Sequence, residues 1–256
     1  MVKGLCIMDF RNIKLIVAYD GTGFSGFQRQ AKGERTVQGV LERALYRITG
    51  EDKTLRLASA GRTDARVHAV GQVVNFFTKS RIPVEKWPAA LNANLPVDVA
   101  VTIAQEVERD FHARYAAKKK TYQYRIYRGT EKDVFLRNYT YHYPYGLNIE
   151  EMRKSARYLL GEHSFKAFAA SGSSVQTFVR NLTKLDLEED GAELRITVEA
   201  NGFLYKMVRN IVGTLLLVGE GRLAPQEVER ILRSEDRKQA GPTAPPHGLF
   251  LLRVEY

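Results

Sequence analysis

The order in which two periodicities alternate along this chain limits its fold more than any other feature. Stretches with apolar residues at every second position read as strands, and stretches with apolar residues at i, i+3, i+4 and i+7 read as helices. RNIKLIVAY (11–19) is strand-like and TVQGVLERALYRITG (36–50) helical, with Val37, Val40, Leu41, Ala44, Leu45 and Ile48 on one face. Thr36 is placed to cap that helix and Gly50 to end it. LRLASA (55–60) and VGQVVNFFT (70–78) follow as strands, VEKWPAALNANL (84–95) as a helix with Pro88 in its first turns, and DVAVTIAQEV (98–107) as a strand. The order β-α-β-β-α-β is the ferredoxin-like unit.

The second half repeats the plan. TYQYRIYR (121–128) reads as a strand and IEEMRKSARYLLG (149–161) as a helix. VRNLTKLDLEE (179–189) and AELRITVEA (192–200) form a strand pair about the turn Asp190-Gly191. A helix LYKMVRNIVGTLLLVG (204–219), a further helix PQEVERILRS (225–234) and a closing strand LFLLRVEY (249–256) complete it. The expectation is an α+β chain of two tandem ferredoxin-like halves, residues 1–108 and 109–256, with antiparallel sheets flanking a central cleft.

Charge narrows the partners. The 39 Lys and Arg outnumber the 29 Asp and Glu, for a formal net charge of +10. Such an excess favours polyanions, nucleic acid before an anionic membrane. The membrane reading is weak, because GLCIM (4–8) is too short for a signal peptide or a span and IVGTLLLV (211–218) is only eight residues. A lone cysteine, Cys6, excludes intrachain disulfides and any multi-thiolate zinc site. His68, His112, His142, His163 and His247 are scattered without metal-ligand spacing. The simplest reading is a cytoplasmic protein with no structural metal.

Four segments carry candidate chemistry. Asp20 to Gly26 (DGTGFSG) contains a literal G-x-G-x-x-G after a strand, but a dinucleotide site needs those glycines to open a helix. Here they run into the polar stretch FQRQAKGER, which suggests a flexible basic loop able to clasp a partner. GRTDARVHA (61–69) sets Arg62, Asp64, Arg66 and His68 between two strands. One reading is a solvated turn with an Arg62–Asp64 surface pair, worth at most about 1 kcal/mol. The other makes Asp64 a nucleophile or base, kept charged by Arg62, with His68 a packed histidine or a proton carrier.

The segment RDFHARYAAKKKTYQYRIYR (109–128) mixes seven Lys and Arg and one acidic residue with four Tyr and one Phe. Cations suit phosphates and rings suit unstacked bases, so RNA contact competes with a plain solvated face. Tyr122, Tyr124 and Ile126 share one strand face, with Tyr124 in the core and Tyr122 at its edge. In the helix over 204–219, Lys206, Arg209, Asn210 and Gly213 align on one face. A buried arginine without a partner is very costly, so Arg209 reaches water, a carboxylate or a ligand phosphate.

Together these stretches resemble the tRNA pseudouridine synthase family of the TruA type. The matching residues are YDGTGFSGFQRQ (19–30), TVQGVLERAL (36–45), GRTDARVHAVGQVVNF (61–76), LNANLP (91–96), DFHARY (110–115), YQYRIY (122–127), NGFLYKMVRNIVGTLL (201–216) and APPHGLFL (244–251). The resemblance implies conversion of uridine to pseudouridine at positions 38, 39 and 40 of the tRNA anticodon stem-loop, by a homodimer using no cofactor and no metal. Carried over by motif, Asp64 matches the catalytic aspartate, Arg62 the arginine two residues before it, Tyr122 the active-site tyrosine and Arg209 the arginine of MVRN. Two positions depart from the family pattern. Arg66 stands where glycine is usual, and would be strained if the backbone there needs φ > 0. Phe27 stands where tryptophan is common.

Two other classes compete: a catalytically silent RNA-binding protein, and a carboxylate-based glycosidase or nucleosidase. Binding alone does not demand a carboxylate facing an RNA phosphate, and a glycosidase usually needs a second catalytic acid. No Asp or Glu stands beside Asp64 in sequence.

Overall fold

The computed structural model describes residues 10–31, 33–51, 56–172 and 175–256. Cys6, the run GLCIM (4–8) and the first residue of the strand expected over 55–60 lie outside the described residues. The chain is α+β and divides into two compact units, the first ending at Ala117 and the second beginning at Lys118.

In the first unit β1 (Arg11–Tyr19) lies between β3 (His68–Thr78) and β4 (Val99–Val107), antiparallel to both. The short β2 (Ala58–Ser59) pairs with the other edge of β3. Alternation in β1 buries Ile13, Leu15, Val17 and Tyr19, with Ile13 opposite Phe76 and Leu15 opposite Val74. Burying each such aliphatic side chain stabilises by roughly 1.5–3 kcal/mol. α1 (Val37–Thr49) covers this sheet with Val37, Val40, Leu41, Ala44 and Leu45. Thr36 caps it by accepting from the Gly39 N–H, and Gly50 ends it at φ 67°, the left-handed conformation glycine adopts without strain.

The helix expected over 84–95 is shorter. A 3-10 turn (Val84–Lys86) leads into α2 (Trp87–Asn92). Asn92 then turns its amide onto β4, accepting from Val101 N at 2.8 Å and donating to Val101 O at 2.9 Å, so the chain leaves the helix there. After β4 the strand Asn residues hold the next segment. Asn12 Nδ2 donates to the carbonyls of Glu108 and Phe111, both at 2.9 Å, and Asn75 Oδ1 accepts from Ala113 N at 2.9 Å. These bonds keep DFHARY within the first unit.

In the second unit β5 (Lys119–Tyr127) lies between β10 (Leu249–Glu255) and β9 (Glu193–Ala200), and β9 pairs with β8 (Val179–Asp190). β7 (Gly161–Ser164) extends the edge at β8, and β6 (Tyr141–His142) runs parallel to the end of β5. With the main strands numbered by chain order within each unit, the strands of each unit run 4-1-3-2. Asp190 pairs with Glu193, so the hairpin loop is Gly191-Ala192, one residue later than the sequence suggests, with Gly191 at φ 57°. α3 (Ile149–Arg157) also ends early. Its last turn tightens into i→i+3 bonds at Tyr158, Leu159 and Leu160 before Gly161 opens β7.

α4 (Met207–Gly219) is buried at every residue except Leu217, as befits a helix apolar nearly all round. It begins later than the periodicity predicts because Lys206 is left-handed at φ 59°. Lys206 therefore leaves the polar stripe, and only Arg209, Asn210 and Gly213 belong to it. α5 (Glu227–Ser234) follows. No helix among the described residues is long and apolar enough to cross a membrane.

Candidate active site

GRTDARVHA joins β2 to β3 in the first unit, and its backbone is fixed almost residue by residue. Gly61 O accepts from Gln72 Nε2 at 3.0 Å, and Thr63 O from Phe27 N at 3.0 Å. The Thr63 hydroxyl meets the Tyr19 hydroxyl at 2.8 Å, inside the core. Burial pushes the Tyr19 phenol up to about 12, against its bonds to Thr63 and Gln72, so at neutral pH it remains a neutral hydroxyl.

Glycines of the preceding loop make this grip possible. A Cβ on Gly21 would sit 2.1 Å from Val67 O, and one on Gly26, already at φ 100°, would sit 3.0 Å from Thr63 O. Phe24 and Phe27 are buried beside them. The G-x-G-x-x-G stretch is thus a packed scaffold under the aspartate loop rather than a flexible clasp. Close backbone approach, and not phosphate binding, accounts for Gly21 and Gly26.

Within the loop Val67 N donates to Asp64 O at 3.2 Å, closing a turn over Asp64, Ala65 and Arg66. Arg66 occupies this turn at φ 65°, so the position does require a positive φ, and Arg66 N donates to Phe24 O at 3.3 Å. Asp64 is half-buried, whereas Arg62 and Arg66 are exposed. Arg62 forms no ion pair among the described residues, so the surface Arg62–Asp64 pair does not occur.

His68 is 1% exposed and belongs to the scaffold. Its Nδ1 lies 3.0 Å from Gly21 N and 3.2 Å from Asp20 Oδ1. The Gly21 amide donates to Nδ1. Thr22 holds Asp20 Oδ1 through its N–H at 2.9 Å and its hydroxyl at 2.6 Å. Buried in this way, His68 packs the loop against Gly21 and Asp20.

The other two predicted residues lie in the second unit. Tyr122, on β5 between Leu251 and Val198, is 8% exposed and meets Phe203 edge-on at a ring distance of 5.1 Å. Arg209, on α4, is 9% exposed and donates Nε to Ala244 O at 2.7 Å, while Ala244 N returns a bond to Arg209 O at 3.1 Å. Tyr124 donates its hydroxyl to the next carbonyl, Pro245 O, at 2.7 Å, and burial pushes its phenol well above the usual range. Asn210 completes the clamp. It donates to Phe168 O at 2.7 Å and accepts from Thr243 Oγ1 at 2.6 Å and Arg237 Nη2 at 3.0 Å. Gly213 faces the same segment, since a Cβ there would lie 1.7 Å from Pro242 O. The stripe on α4 therefore seats residues 242–245, and these contacts orient the Arg209 guanidinium.

Against this geometry, a family model described as tRNA pseudouridine synthase matches residues 15–116 and 155–256. The chain belongs to the tRNA pseudouridine synthase family. Proteins called tRNA pseudouridine synthase A agree in both identity and length. That of Thermoanaerobacter sp. (strain X514) is 50% identical over 96% of this chain and 100% of its own length. That of Anoxybacillus flavithermus is 49% identical over 96% and 99%, and that of Bacillus velezensis 49% over 95% and 98%. Among solved structures, a chain of a Cbf5-Nop10-Gar1 complex is 10% identical, with a TM-score of 0.36 covering 93% of this chain and 57% of that one.

Membership decides between the three classes: this chain is an enzyme, an intramolecular isomerase of the TruA type. A tRNA pseudouridine synthase adds and removes no group, so its residues have to bind, hold and shuttle protons. Asp64 and Arg62 share one loop of the first unit, while Tyr122 and Arg209 sit on β5 and α4 of the second. Tyr19, Thr63 and Gln72 support these residues and carry no mark in the sequence, whereas Asn210 stood out only as part of the polar stripe on α4. Tyr19 merely ends an apolar alternation, and nothing local shows that its hydroxyl finds Thr63.

Proposed function

We propose that this synthase converts uridine to pseudouridine at positions 38, 39 and 40 of the tRNA anticodon stem-loop, with Asp64 as nucleophile. The observation that carries the reading is the Asp64 turn, whose carboxylate is half-exposed on a backbone held by Tyr19, Phe24, Phe27 and Gln72. A preorganised carboxylate of this kind suits a reaction at a sugar carbon. The N1–C1′ bond breaks, the uracil rotates, a C5–C1′ bond forms, and the C5 proton leaves as N1 gains one. Asp64 is the nucleophile that frees the base from C1′.

A uridine in a paired stem is first flipped out, with Arg62 filling its place or holding a phosphate. Tyr122 stacks on the uracil and helps remove the C5 proton, and its edge contact with Phe203 keeps the ring from turning. Arg209, steadied by Ala244, supplies a fixed cation for the substrate. The strand order 4-1-3-2 in both units supports reading each as a ferredoxin-like half. We assign the enzyme to the cytoplasm, as a homodimer.

Incubation with tRNA tritiated at uridine C5 tests the reading. Tritium should pass to water with no free uracil, whereas free uracil would indicate hydrolysis. Asp64→Asn should bind tRNA normally and lose release by more than about 1000-fold. Full activity in that variant would remove Asp64 from the nucleophile role.

A further inference from the structure

The first unit holds a second basic feature that the reaction does not use. Between α1 and the turn after α2 lies a groove of about 440 Å³, lined by Arg35, Arg43, Arg47, Asn94, Leu95 and Pro96. Its arginines are not equivalent. Arg35 is spent, because its guanidinium forks onto Asp98 at 2.7 and 2.8 Å and stacks over Phe24 at 4.0 Å. Arg43 and Arg47 are exposed, and neither has an ion-pair partner among the described residues.

These two stand at i and i+4, where like charges face each other across one helical turn and destabilise the helix. The nearest acid on α1, Glu42, is turned away to Arg29 and Gln38. Two unspent guanidiniums above an apolar wall formed by Leu95 and Pro96 match a ribose-phosphate strand, with charge for phosphates and hydrocarbon for sugars. The groove also connects to the Asp64 turn. Arg66 N bonds to Phe24 O, the Phe24 ring carries Arg35, and Arg35 O accepts from Ser25 N.

We infer that the groove at Arg43 and Arg47, whose lining includes no residue of the Asp64 turn, is a second docking site for the phosphate backbone of the RNA substrate. The inference rests on the RNA-modifying reading above but does not depend on Asp64 being the nucleophile. Contacts of this kind grip without reading sequence, and they show in the salt dependence of binding.

The test measures affinity of unmodified tRNA transcript for wild type and for the double variant Arg43→Gln/Arg47→Gln between 50 and 200 mM salt. Losing two phosphate contacts lowers the slope of log K against log[salt] by roughly 1.4–1.8. KM for tRNA should rise several-fold while kcat of tritium release stays within twofold. Arg43→Lys/Arg47→Lys should restore the slope, showing that charge and not a folding defect is responsible. A wild-type slope in the Gln variant, or a slope that the Lys variant does not restore, overturns the inference. Failure of wild type to release tritium would instead overturn the proposed reaction, and the slope comparison would still stand.

Discussion

Arg66 is a residue in the wrong conformation for its side chain, and that yields an ordered set of stabilities. At φ 65° a non-glycine residue presses its Cβ against its own carbonyl, at a cost of roughly 1–2 kcal/mol. Glycine removes that clash, but its unfolded chain is freer by about 0.5–1 kcal/mol. The net gain for Arg66→Gly is therefore about 0–1.5 kcal/mol, or a rise in Tm of up to roughly 6 °C for a chain of this size. Arg66→Asn, whose short amide tolerates this conformation, should gain a similar amount without the entropy loss. Arg66→Ala keeps the Cβ and should sit near wild type, and β-branched Arg66→Val should fall below it. Every variant keeps the N–H bond to Phe24 O, so backbone strain is the only variable that reorders them. Thermal melts followed by circular dichroism rank the series. A glycine variant no more stable than the alanine variant would refute the strain argument. Tritium release separates the charge, because Gly, Asn and Ala all remove it equally whatever they do to stability.

Two further perturbations probe the scaffold and its electrostatics. Gly21→Ala drives a methyl to 2.1 Å from Val67 O, a backbone atom that cannot swing aside. It should cost about 1–3 kcal/mol and lower tritium release more than tenfold through the displaced loop, while Gly146→Ala, with no atom within 4 Å and no positive φ, leaves release unchanged; equal effects of the two would refute the close-approach reading. Glu199 is held down to about 2 by Thr183 and then Lys119, Arg253 and Thr121, from an ordinary 4.5. A depressed carboxylate contributes stability that is complete above its unfolded value and lost as pH falls toward its folded one. Glu199→Gln should thus weaken the fold at pH 7 and flatten the loss between pH 4.5 and 2, read from urea midpoints across that range; parallel curves would show that the bonds carry no net stability.

What the sequence made legible is what neighbours in the chain decide. Alternation in RNIKLIVAY, the Thr36 and Gly50 caps, and the helical stripe of α1 all depend on residues within a few positions of each other, and all appear where expected. Ends of elements were harder, since they are set by partners from elsewhere. Asn92 leaves its helix for Val101, and Lys206 turns left-handed one residue before α4 begins.

The same division runs through the candidate site. Asp64, Arg62, Tyr122 and Arg209 could be named from residue type and motif, but the reason the loop of Asp64 holds still could not. That reason is the approach of one backbone to another: Gly21 beneath Val67, Gly26 beneath Thr63, and the hydroxyls of Tyr19 and Thr63 meeting in the core. A glycine in sequence shows that a Cβ is missing, not which atom needs the space. The G-x-G-x-x-G stretch therefore misleads toward a mobile phosphate loop when its contribution is rigidity. His68 misleads in the same way, since its burial and its contacts with Gly21 and Asp20 are set by the fold and not by its neighbours in sequence. In this synthase the Asp64 loop is held by Tyr19, Gly21, Gly26 and Gln72, and their identities follow from space and hydrogen bonding across the fold rather than from any local signature.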